Sequence, residues 1–194
     1  MENTKGDCVK YYCLYESPVG LLQLVSDGSA LVGVIFADHK NNASPTKQRE
    51  VHPFQRTVEQ LDQYFQGNLQ NFDIPIHLHG TEFQVRVWNE LRNIPFGTTI
   101  SYKAQAEKVG TVARAVGLAN GQNPIPIIVP CHRVIGANGQ LVGYGGGVDR
   151  KRALLQFEAI VKDFGPQAFG NMVAFGKARP IRSKSVVGLS KCPA

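Results

Sequence analysis

The residues best suited to chemistry lie in one short stretch, where Cys131 is followed at once by His132 and Arg133. A thiol reacts as its thiolate, and neighbouring cationic or proton-accepting groups lower its pKa. Cys131 is therefore a candidate nucleophile, whose thiol pKa we expect to lie below the roughly 8.5 of a free cysteine. A buried structural cysteine is the alternative, and for a single cysteine taken alone it deserves about equal weight.

Three prolines in the apolar run before this cysteine favour the interpretation of Cys131 as a nucleophile. They lie at positions 124, 126 and 130. Each proline fixes φ and removes a backbone donor, so the segment is not expected to be a helix and is presented rigidly.

This stretch resembles the acceptor motif of the O6-alkylguanine-DNA alkyltransferases, also called methylated-DNA–protein-cysteine methyltransferases. The motif is the Pro-Cys-His-Arg-Val run at 130–134, with the lead-in Asn-Pro-Ile-Pro at 123–126. The resemblance extends over about residues 80–160. Further features of the family occur in that range in the same order as in the family. They are Tyr102, the Ala-Arg-Ala-Val run at 113–116, the Tyr-Gly-Gly-Gly run at 144–147 and Glu158.

The resemblance implies a chemistry for the site. An alkyl group would pass irreversibly from O6-alkylguanine, and from O4-alkylthymine, in double-stranded DNA to Cys131. His132, oriented by Glu158, would take the thiol proton through a water, Tyr102 would donate a hydrogen bond as the guanine leaves, and Asn123 would brace the loop. The product is a thioether, which has no carbonyl for water to attack, so we expect one turnover per molecule and no cofactor.

A glycine-rich segment after the motif is the expected wall of the base pocket. It lacks the Lys and Ser/Thr that follow the glycines of a phosphate-binding loop. Many family members carry a side chain where Gly145 stands, so the pocket here is expected to differ in width. The pocket residues that the resemblance implies are Pro126, Val134, Tyr144, Gly145 and Gly146.

Two short helices before the motif predict a helix-turn-helix. Ser101 is a suitable cap for a helix over 102–109, Gly110 breaks the chain, and Thr111 is a suitable cap for a helix over 112–120. The second helix is expected to bury Val112, Ala115, Val116 and Ala119.

The opposite face of that second helix offers a nearly bare backbone and one arginine. Such a surface fits close approach to a minor groove, with little sequence readout. A packing helix with one solvated arginine is the alternative. By resemblance, Arg114 would replace an extruded base in the stack and Tyr102 would help to rotate that nucleotide out. The expected DNA contacts are Arg114, Tyr102, Lys103, Thr111, Ala113, Gly117 and Ala137.

Charge is divided unevenly along the chain, which has a net charge of +6. Residues 1–79 carry 6 Lys and Arg against 9 Asp and Glu, whereas residues 80–194 carry 15 against 6. A basic surface beside a reactive site suits a polyanion such as DNA, although a merely solvated surface has the same charge.

The fold class predicted is α/β, with two domains and a tail. Strands over 9–16, 21–26 and 30–36 indicate an antiparallel meander, followed by a loop over 37–52, a helix over 53–66 and an extended segment over 71–78. By resemblance, residues 1–79 form a ribonuclease-H-like domain and residues 80–164 a mainly helical, winged-helix-like domain. Residues 165–194 are predicted to be a basic, mostly irregular tail.

Two helices of the second domain have recognisable core faces. The helix over 82–92 is expected to bury Val87, Trp88 and Leu91, and the helix over 149–162 to bury Leu154, Phe157 and Val161. Glu158 lies within that last apolar face, where a carboxylate needs a partner. His132 is the partner that the resemblance supplies, with Lys151, Lys162 or a surface ion pair as alternatives.

The four cysteines, at 8, 13, 131 and 192, indicate a reducing compartment rather than a disulfide framework or zinc ribbon. His52, His77, His79, Cys8 and Cys13 do not assemble into a closed metal site, so no metal is expected. Without a membrane span or a signal peptide, we expect a monomer that is not secreted and works in the nucleus, if eukaryotic, or otherwise in the cytoplasm.

Two other functions fit part of this sequence. A cysteine hydrolase with a Cys-His-Asn/Glu set would use the same residue types, but it leaves the basic helix-turn-helix unexplained. A non-enzymatic protein that binds alkylated DNA would explain the helices, but such relatives of the family lack the acceptor cysteine.

Overall fold

The computed structural model describes residues 11–37, 47–48 and 53–168. Its N-terminal part is a four-stranded sheet in the order β3-β2-β1-β4. The strands are β1 (Tyr11–Ser17), β2 (Gly20–Ser26), β3 (Leu31–Phe36) and β4 (Lys47–Gln48). The first three pair antiparallel, with Leu14 opposite Gln23 and Leu22 opposite Phe36, which confirms the meander. β4 pairs parallel with β1.

Five α-helices follow among the described residues, close to the predicted bounds. They are α1 (Phe54–Phe65), α2 (Glu82–Leu91), α3 (Tyr102–Val109), α4 (Ala113–Gly121) and α5 (Val148–Phe164). Strands β5 (Ile100–Ser101) and β6 (Val134–Ile135) pair parallel and hold the start of α3 beside the segment that follows Cys131. None of the described helices is long and apolar enough to cross a membrane.

The turn between α3 and α4 differs in detail from the prediction. Ser101 caps α3 as expected, accepting a hydrogen bond from the Ala104 amide at 3.0 Å. The Thr111 amide, however, donates to the Ala106 carbonyl at 2.9 Å, so this residue closes α3 instead of capping α4. Val112 is the N-cap of α4, without a side-chain hydrogen bond, and is 67% exposed, so the prediction that it is buried is wrong.

The segment predicted as a strand or an extended linker runs along the sheet edge. The Leu31 amide donates to the Pro75 carbonyl, and the His77 amide donates to the Leu31 carbonyl, both at 2.9 Å. The ring of His77 is paired with Asp27 at 2.7 Å. These bonds fix the path of the chain between the N-terminal sheet and α2.

One hydrophobic core joins the sheet to the helices. It contains Leu24 of the sheet, Leu61 of α1, Trp88 of α2 and Phe157 of α5, all buried. The Trp88 indole also donates to the Ala119 carbonyl of α4 at 2.8 Å, which ties the helix-turn-helix to α2. The predicted core faces of α2 and α5 are confirmed.

The sheet also touches the loops around Cys131 directly. The Val34 amide of β3 donates to the Pro124 carbonyl at 2.8 Å. Arg150 donates to the Val19 carbonyl at 2.7 Å and to the Gly146 carbonyl at 2.9 Å, and its guanidinium lies over the Phe36 ring. The position of the glycine-rich loop is therefore set by the N-terminal sheet.

Some expectations fall outside the described residues. These concern Cys8, His52, most of the loop over 37–52 and the tail beyond residue 168. Cys13 is disulfide-bonded, a feature that was not expected from cysteines interpreted as a sign of a reducing compartment.

Neighbouring glycines of the loop offer a matched test of this packing. A Cβ added at Gly146 would overlap the Phe36 ring and lie 2.8 Å from Tyr144 Cε1, whereas one added at Gly145 meets only the Gly121 carbonyl at 3.6 Å. Gly146→Ala should lower the free energy of unfolding by about 1–3 kcal/mol, the usual cost of overpacking. Gly145→Ala should leave it nearly unchanged. Urea denaturation of both variants measures this, and equal losses would show that β3 does not constrain the loop.

Candidate active site

The loop from residue 123 to residue 133 is a buried, strained turn. Ile127 has φ 76°, which is a costly conformation for a β-branched residue. The Val129 amide donates to the Ile125 carbonyl at 2.9 Å, and Cys131–Arg133 form a single 3₁₀ turn. This turn presents Cys131, which is 5% exposed, at the floor of a cavity.

Asn123 holds the two ends of this loop together. Its Nδ2 donates to the Val129 carbonyl at 2.7 Å and its Oδ1 accepts from the Ile125 amide at 3.1 Å, so the predicted bracing contacts are present. The same Nδ2 also donates to Cys131 Sγ at 3.1 Å, a contact that the sequence did not predict. A donor aimed at the sulfur favours the thiolate over the thiol.

His132 lies on Glu158, as the resemblance implies. Its Nε2 is 2.9 Å from Glu158 Oε1, and both side chains are fully buried. Burial lowers the pKa of His132 although Glu158 opposes the shift, so the imidazole is neutral near pH 7. An ionised carboxylate only accepts hydrogen bonds, so Nε2 carries the proton and Nδ1 is a free base. His132 Nδ1 is buried without a hydrogen-bond partner among the described residues.

Glu158 has three further partners that the sequence did not predict. Arg133 donates to both carboxylate oxygens at 2.9 Å, from Nε and from one terminal nitrogen. The Tyr64 hydroxyl donates at 2.8 Å and the Gly97 amide at 3.0 Å. Burial alone would raise the pKa of Glu158, but His132 and Arg133 outweigh it and hold this pKa well below its usual range.

Of these partners, only Arg133 could have been found from the sequence, because it is the cation of the same motif. Tyr64 and Gly97 come from distant parts of the chain. Neither lysine considered as an alternative reaches the carboxylate: Lys162 donates to the Gly97 carbonyl at 3.2 Å, and Lys151 donates to the Val134 carbonyl at 2.6 Å.

The prediction that the pKa of the Cys131 thiol lies below that of a free cysteine is wrong for the free protein. Burial of Cys131 raises its pKa to about 11, against the hydrogen bond from Asn123 and the charge of Lys151, which lower it. Desolvation wins because the sulfur is enclosed, and a thiolate there would lose its hydration. Cys131 is therefore a neutral thiol at pH 7.

Lys151 is a buried cation whose charge acts on the sulfur, and the sequence did not predict it as part of the site. Besides its bond to Val134, its Nζ donates to the Val142 carbonyl at 3.0 Å and to the Tyr102 hydroxyl at 3.4 Å. The Tyr102 hydroxyl in turn contacts the Val142 and Gly143 carbonyls at 3.0 and 3.2 Å. Burial raises the pKa of Tyr102 to about 12, so it remains a proton donor at pH 7.

A cavity of about 130 Å³ opens onto Cys131. Four of the five expected pocket residues line it: Pro126, Tyr144, Gly145 and Gly146. Val134 is not on this cavity, because β6 pairs with β5 and turns the side chain into the core, where it is fully buried. The other lining residues are Val34, Phe36, Asn120, Gly121 and Asn123, of which the first two belong to β3.

The expected DNA-contacting residues lie on or beside the helix-turn-helix. Lys103, Ala113, Arg114 and Ala137 are exposed, and Tyr102, Thr111 and Gly117 are partly buried. Gly117 lies against the Tyr102 ring, since a Cβ added there would be 3.8 Å from Tyr102 Cε1. The exposed side of α4 also carries Leu118, which is 67% exposed, a feature not predicted.

Within the described part of the chain, no three His, Cys, Asp or Glu side chains lie together so that they could hold a metal ion. His77 is paired with Asp27, and its ring lies 6.3 Å from that of His79.

Comparison with known proteins identifies the two parts of the chain. Residues 82–160 match the DNA binding domain of 6-O-methylguanine DNA methyltransferase, and residues 10–78 match its ribonuclease-like domain. The predicted division at residues 79 and 80 falls between these ranges and stays a prediction. A fold with a ribonuclease-like sheet, a helix-turn-helix and a buried Cys-His-Glu set defines a class of DNA-binding proteins with a reactive thiol.

Individual proteins that are similar to this chain belong to the same class. The methylated-DNA–protein-cysteine methyltransferase of Mycobacterium tuberculosis is 50% identical over 151 residues, which cover 76% of this chain and 92% of the relative. That of Methanosarcina acetivorans is 47% identical over 152 residues, covering 76% and 97%. The crystal structure of M. tuberculosis OGT in complex with DNA matches with a TM-score of 0.71 and 48% identity, covering 77% and 92%. The chain belongs to the methylated-DNA–protein-cysteine methyltransferase family.

The raised thiol pKa gives a direct test of the site. In the free protein, the thiolate absorbance that depends on Cys131 should rise with an inflection at about pH 11. The signal is taken as the difference between the wild type and Cys131→Ala, which cancels the other cysteines. An inflection at or below the roughly 8.5 of a free cysteine would mean that the charges around the sulfur outweigh its burial.

Proposed function

We propose that this protein repairs DNA by direct reversal, transferring the alkyl group of O6-alkylguanine to Cys131 once per molecule. The observation that carries the proposal is an enclosed thiol on a cavity, next in the chain to a buried histidine whose Nδ1 has no hydrogen-bond partner among the described residues. Glu158 fixes the tautomer of that histidine, and the cavity above Cys131 has a side-chain-poor wall that leaves room for a base.

The transfer begins with loss of the thiol proton. His132 Nδ1 takes the proton from Cys131 through a bridging water, which the unpartnered buried nitrogen supports. Asn123 and the charge of Lys151 stabilise the thiolate as it forms. The sulfur then attacks the alkyl carbon, the S–C bond forms, and the O6–C bond breaks with its electron pair staying on the base.

The leaving base needs a hydrogen-bond donor, and Tyr102 supplies one. Its hydroxyl is kept protonated by its high pKa and lies close to the ammonium of Lys151. A thiol that stays neutral until a base fills the cavity also protects the acceptor from other electrophiles. The thioether product has no carbonyl for water to attack, so no cofactor or second turnover is proposed.

DNA binds through the helix-turn-helix in this proposal. Arg114 is exposed on a face that is otherwise almost free of polar side chains, and it fills the gap left by the extruded nucleotide. Lys103 and the backbone near Thr111 face the phosphates, Ala113 and Gly117 allow close approach to the minor groove, and Ala137 lies along the flanking backbone. The positive charge of residues 80–194 supports this orientation.

Three finer points of the proposal rest on the sequence and on family membership. The protein acts as a monomer, it works in the compartment that holds DNA (the nucleus in a eukaryote, the cytoplasm otherwise), and O4-alkylthymine is a second substrate.

Intact mass tests the stoichiometry. Incubation with duplex DNA containing O6-methylguanine should add one methyl group, about 14 Da, to the peptide that contains Cys131. Cys131→Ala should show no adduct while it still binds the duplex. Repeated turnover, or an adduct on Cys8, Cys13 or Cys192, would contradict the proposal.

The role of Arg114 can be separated from the chemistry of the thiol. Arg114→Ala should slow repair of duplex DNA by roughly tenfold or more, because extrusion of a base costs a few kcal/mol. Its reaction with free O6-benzylguanine, which needs no extrusion, should be nearly unchanged. Arg86→Ala removes the same charge from α2 and is the matched control, with little effect on either rate. Equal losses of Arg114→Ala on both substrates would indicate a folding defect instead.

A further inference from the structure

The two oxygens of the Glu158 carboxylate have different sets of donors. Oε1 accepts from His132 Nε2 at 2.9 Å, from a terminal nitrogen of Arg133 at 2.9 Å and from the Tyr64 hydroxyl at 2.8 Å. Oε2 accepts from Arg133 Nε at 2.9 Å and from the Gly97 amide at 3.0 Å. His132 and Tyr64 therefore share one oxygen, and each hydrogen bond to it leaves less charge for the other.

Tyr64 lies in α1, far along the chain from the motif, and its position is fixed by packing. Its side chain is fully buried, and its ring packs against four other rings, whose centroids lie 5.0 to 5.9 Å away: Phe65, Phe72, Phe96 and Phe157. Burial raises the pKa of Tyr64 well above its usual value, and the charge of Glu158 adds to this shift. The hydroxyl therefore stays protonated at pH 7 and donates to the carboxylate.

The orientation of Glu158 does not depend on Tyr64. Arg133 donates to both carboxylate oxygens, and its other terminal nitrogen donates to the Ile94 carbonyl at 2.6 Å, so the guanidinium is itself fixed. The Gly97 amide holds Oε2 from the backbone. These donors keep the carboxylate in place without a tyrosine, and Tyr64 contributes a further donor on the oxygen that His132 contacts.

The charge on that oxygen affects how readily His132 takes up a proton. A neighbouring carboxylate stabilises an imidazolium, and it does so less when other hydrogen bonds already stabilise the charge of the carboxylate. The charges of Arg133 and Lys151 also disfavour the imidazolium. Loss of the Tyr64 hydroxyl would leave more negative charge on Oε1 and make the imidazole a stronger base.

We infer that Tyr64 is a positioning residue that acts through Glu158: its hydroxyl draws charge from the oxygen shared with His132 and so keeps His132 a weaker base. The inference rests on the proposed function, in which His132 takes the proton of Cys131. It gives the N-terminal part of the chain an influence on the reactivity of the thiol, because α1 lies within the ribonuclease-like match at residues 10–78.

Tyr64→Phe tests the inference, because it removes the hydroxyl and keeps the ring. The hydrogen bond from His132 Nε2 to Oε1 should become stronger, so the Nε2–H proton resonance in the NMR spectrum should move downfield. The stronger base should also speed the reaction of Cys131 with free O6-benzylguanine at pH 7 by roughly threefold or more, a part of the strength of one hydrogen bond to a charged group. If Tyr64 served only to hold Glu158 in place, this reaction would become slower.

Tyr15→Phe is the matched control. The Tyr15 hydroxyl also donates to a carboxylate in the N-terminal part of the chain, that of Asp62, at 2.7 Å, and neither residue belongs to the site. This variant should lower the free energy of unfolding and leave the resonance and the rate at their wild-type values.

A second variant keeps the hydrogen bond and changes its strength. A ring-fluorinated tyrosine at position 64 has a more acidic hydroxyl and is a stronger donor. It should move the His132 resonance upfield and slow the reaction, the opposite of Tyr64→Phe. Thermal melting reports whether each variant is folded.

The outcomes distinguish the inference from the proposed function. If the resonance in folded Tyr64→Phe does not move downfield, or the fluorinated tyrosine moves it in the same direction as Tyr64→Phe, the inference is wrong. It is also wrong if the wild type reacts with O6-benzylguanine and Tyr64→Phe reacts no faster. If the wild type transfers no alkyl group to Cys131 from duplex DNA or from O6-benzylguanine, the proposed function is wrong, and the resonance still decides whether Tyr64 acts on His132.

Discussion

The buried carboxylate of Glu158 is the interaction on which the rest of the site depends. It accepts hydrogen bonds from His132, Arg133, Tyr64 and the Gly97 amide, and so joins α1, α5, the 3₁₀ turn after Pro130 and the loop before β5. A carboxylate in this position is tolerable only because all these donors surround it, and loss of one partner of a buried ion pair typically costs about 3–5 kcal/mol. The same carboxylate fixes which nitrogen of His132 is basic. Folding and chemistry are thus coupled through one side chain.

Burial has opposite effects on the two reactive groups of the site. It raises the pKa of the Cys131 thiol and lowers the pKa of His132, so both are neutral in the free protein. Transfer of a proton from the neutral Cys131 thiol to the neutral His132 imidazole would therefore create a pair of opposite charges within the protein. Asn123 and Lys151 lie where they lower the cost of the anion. In the proposed mechanism, this arrangement favours reaction when a base occupies the cavity and excludes water, over reaction with solutes.

The N-terminal sheet takes part in the site although none of the proposed chemistry comes from it. Val34 and Phe36 of β3 line the cavity, the Val34 amide holds the Pro124 carbonyl, and Arg150 connects the β1–β2 turn to the glycine-rich loop. Phe36 also packs edge-on against Tyr144, with ring centroids 6.2 Å apart. The ribonuclease-like part therefore sets the shape of the pocket as well as stabilising the chain.

The sequence by itself determined most of the elements, namely the antiparallel meander and the five helices within a few residues. It also singled out Cys131, whose role as acceptor stays a prediction, and through the resemblance the contact of His132 with Glu158. Those features follow from local periodicity, turn residues and a contiguous motif that resembles a known family. The tertiary structure alone decided the raised pKa of Cys131, the place of Val134 in the core, the exposure of Val112, the contacts of Tyr64 and Gly97 with Glu158 and the contribution of Phe36 to the pocket. Each of these depends on burial or on contacts between residues far apart in the chain. Desolvation and long-range packing depend on how all the side chains pack together in the folded protein, and no local pattern of residue types specifies them.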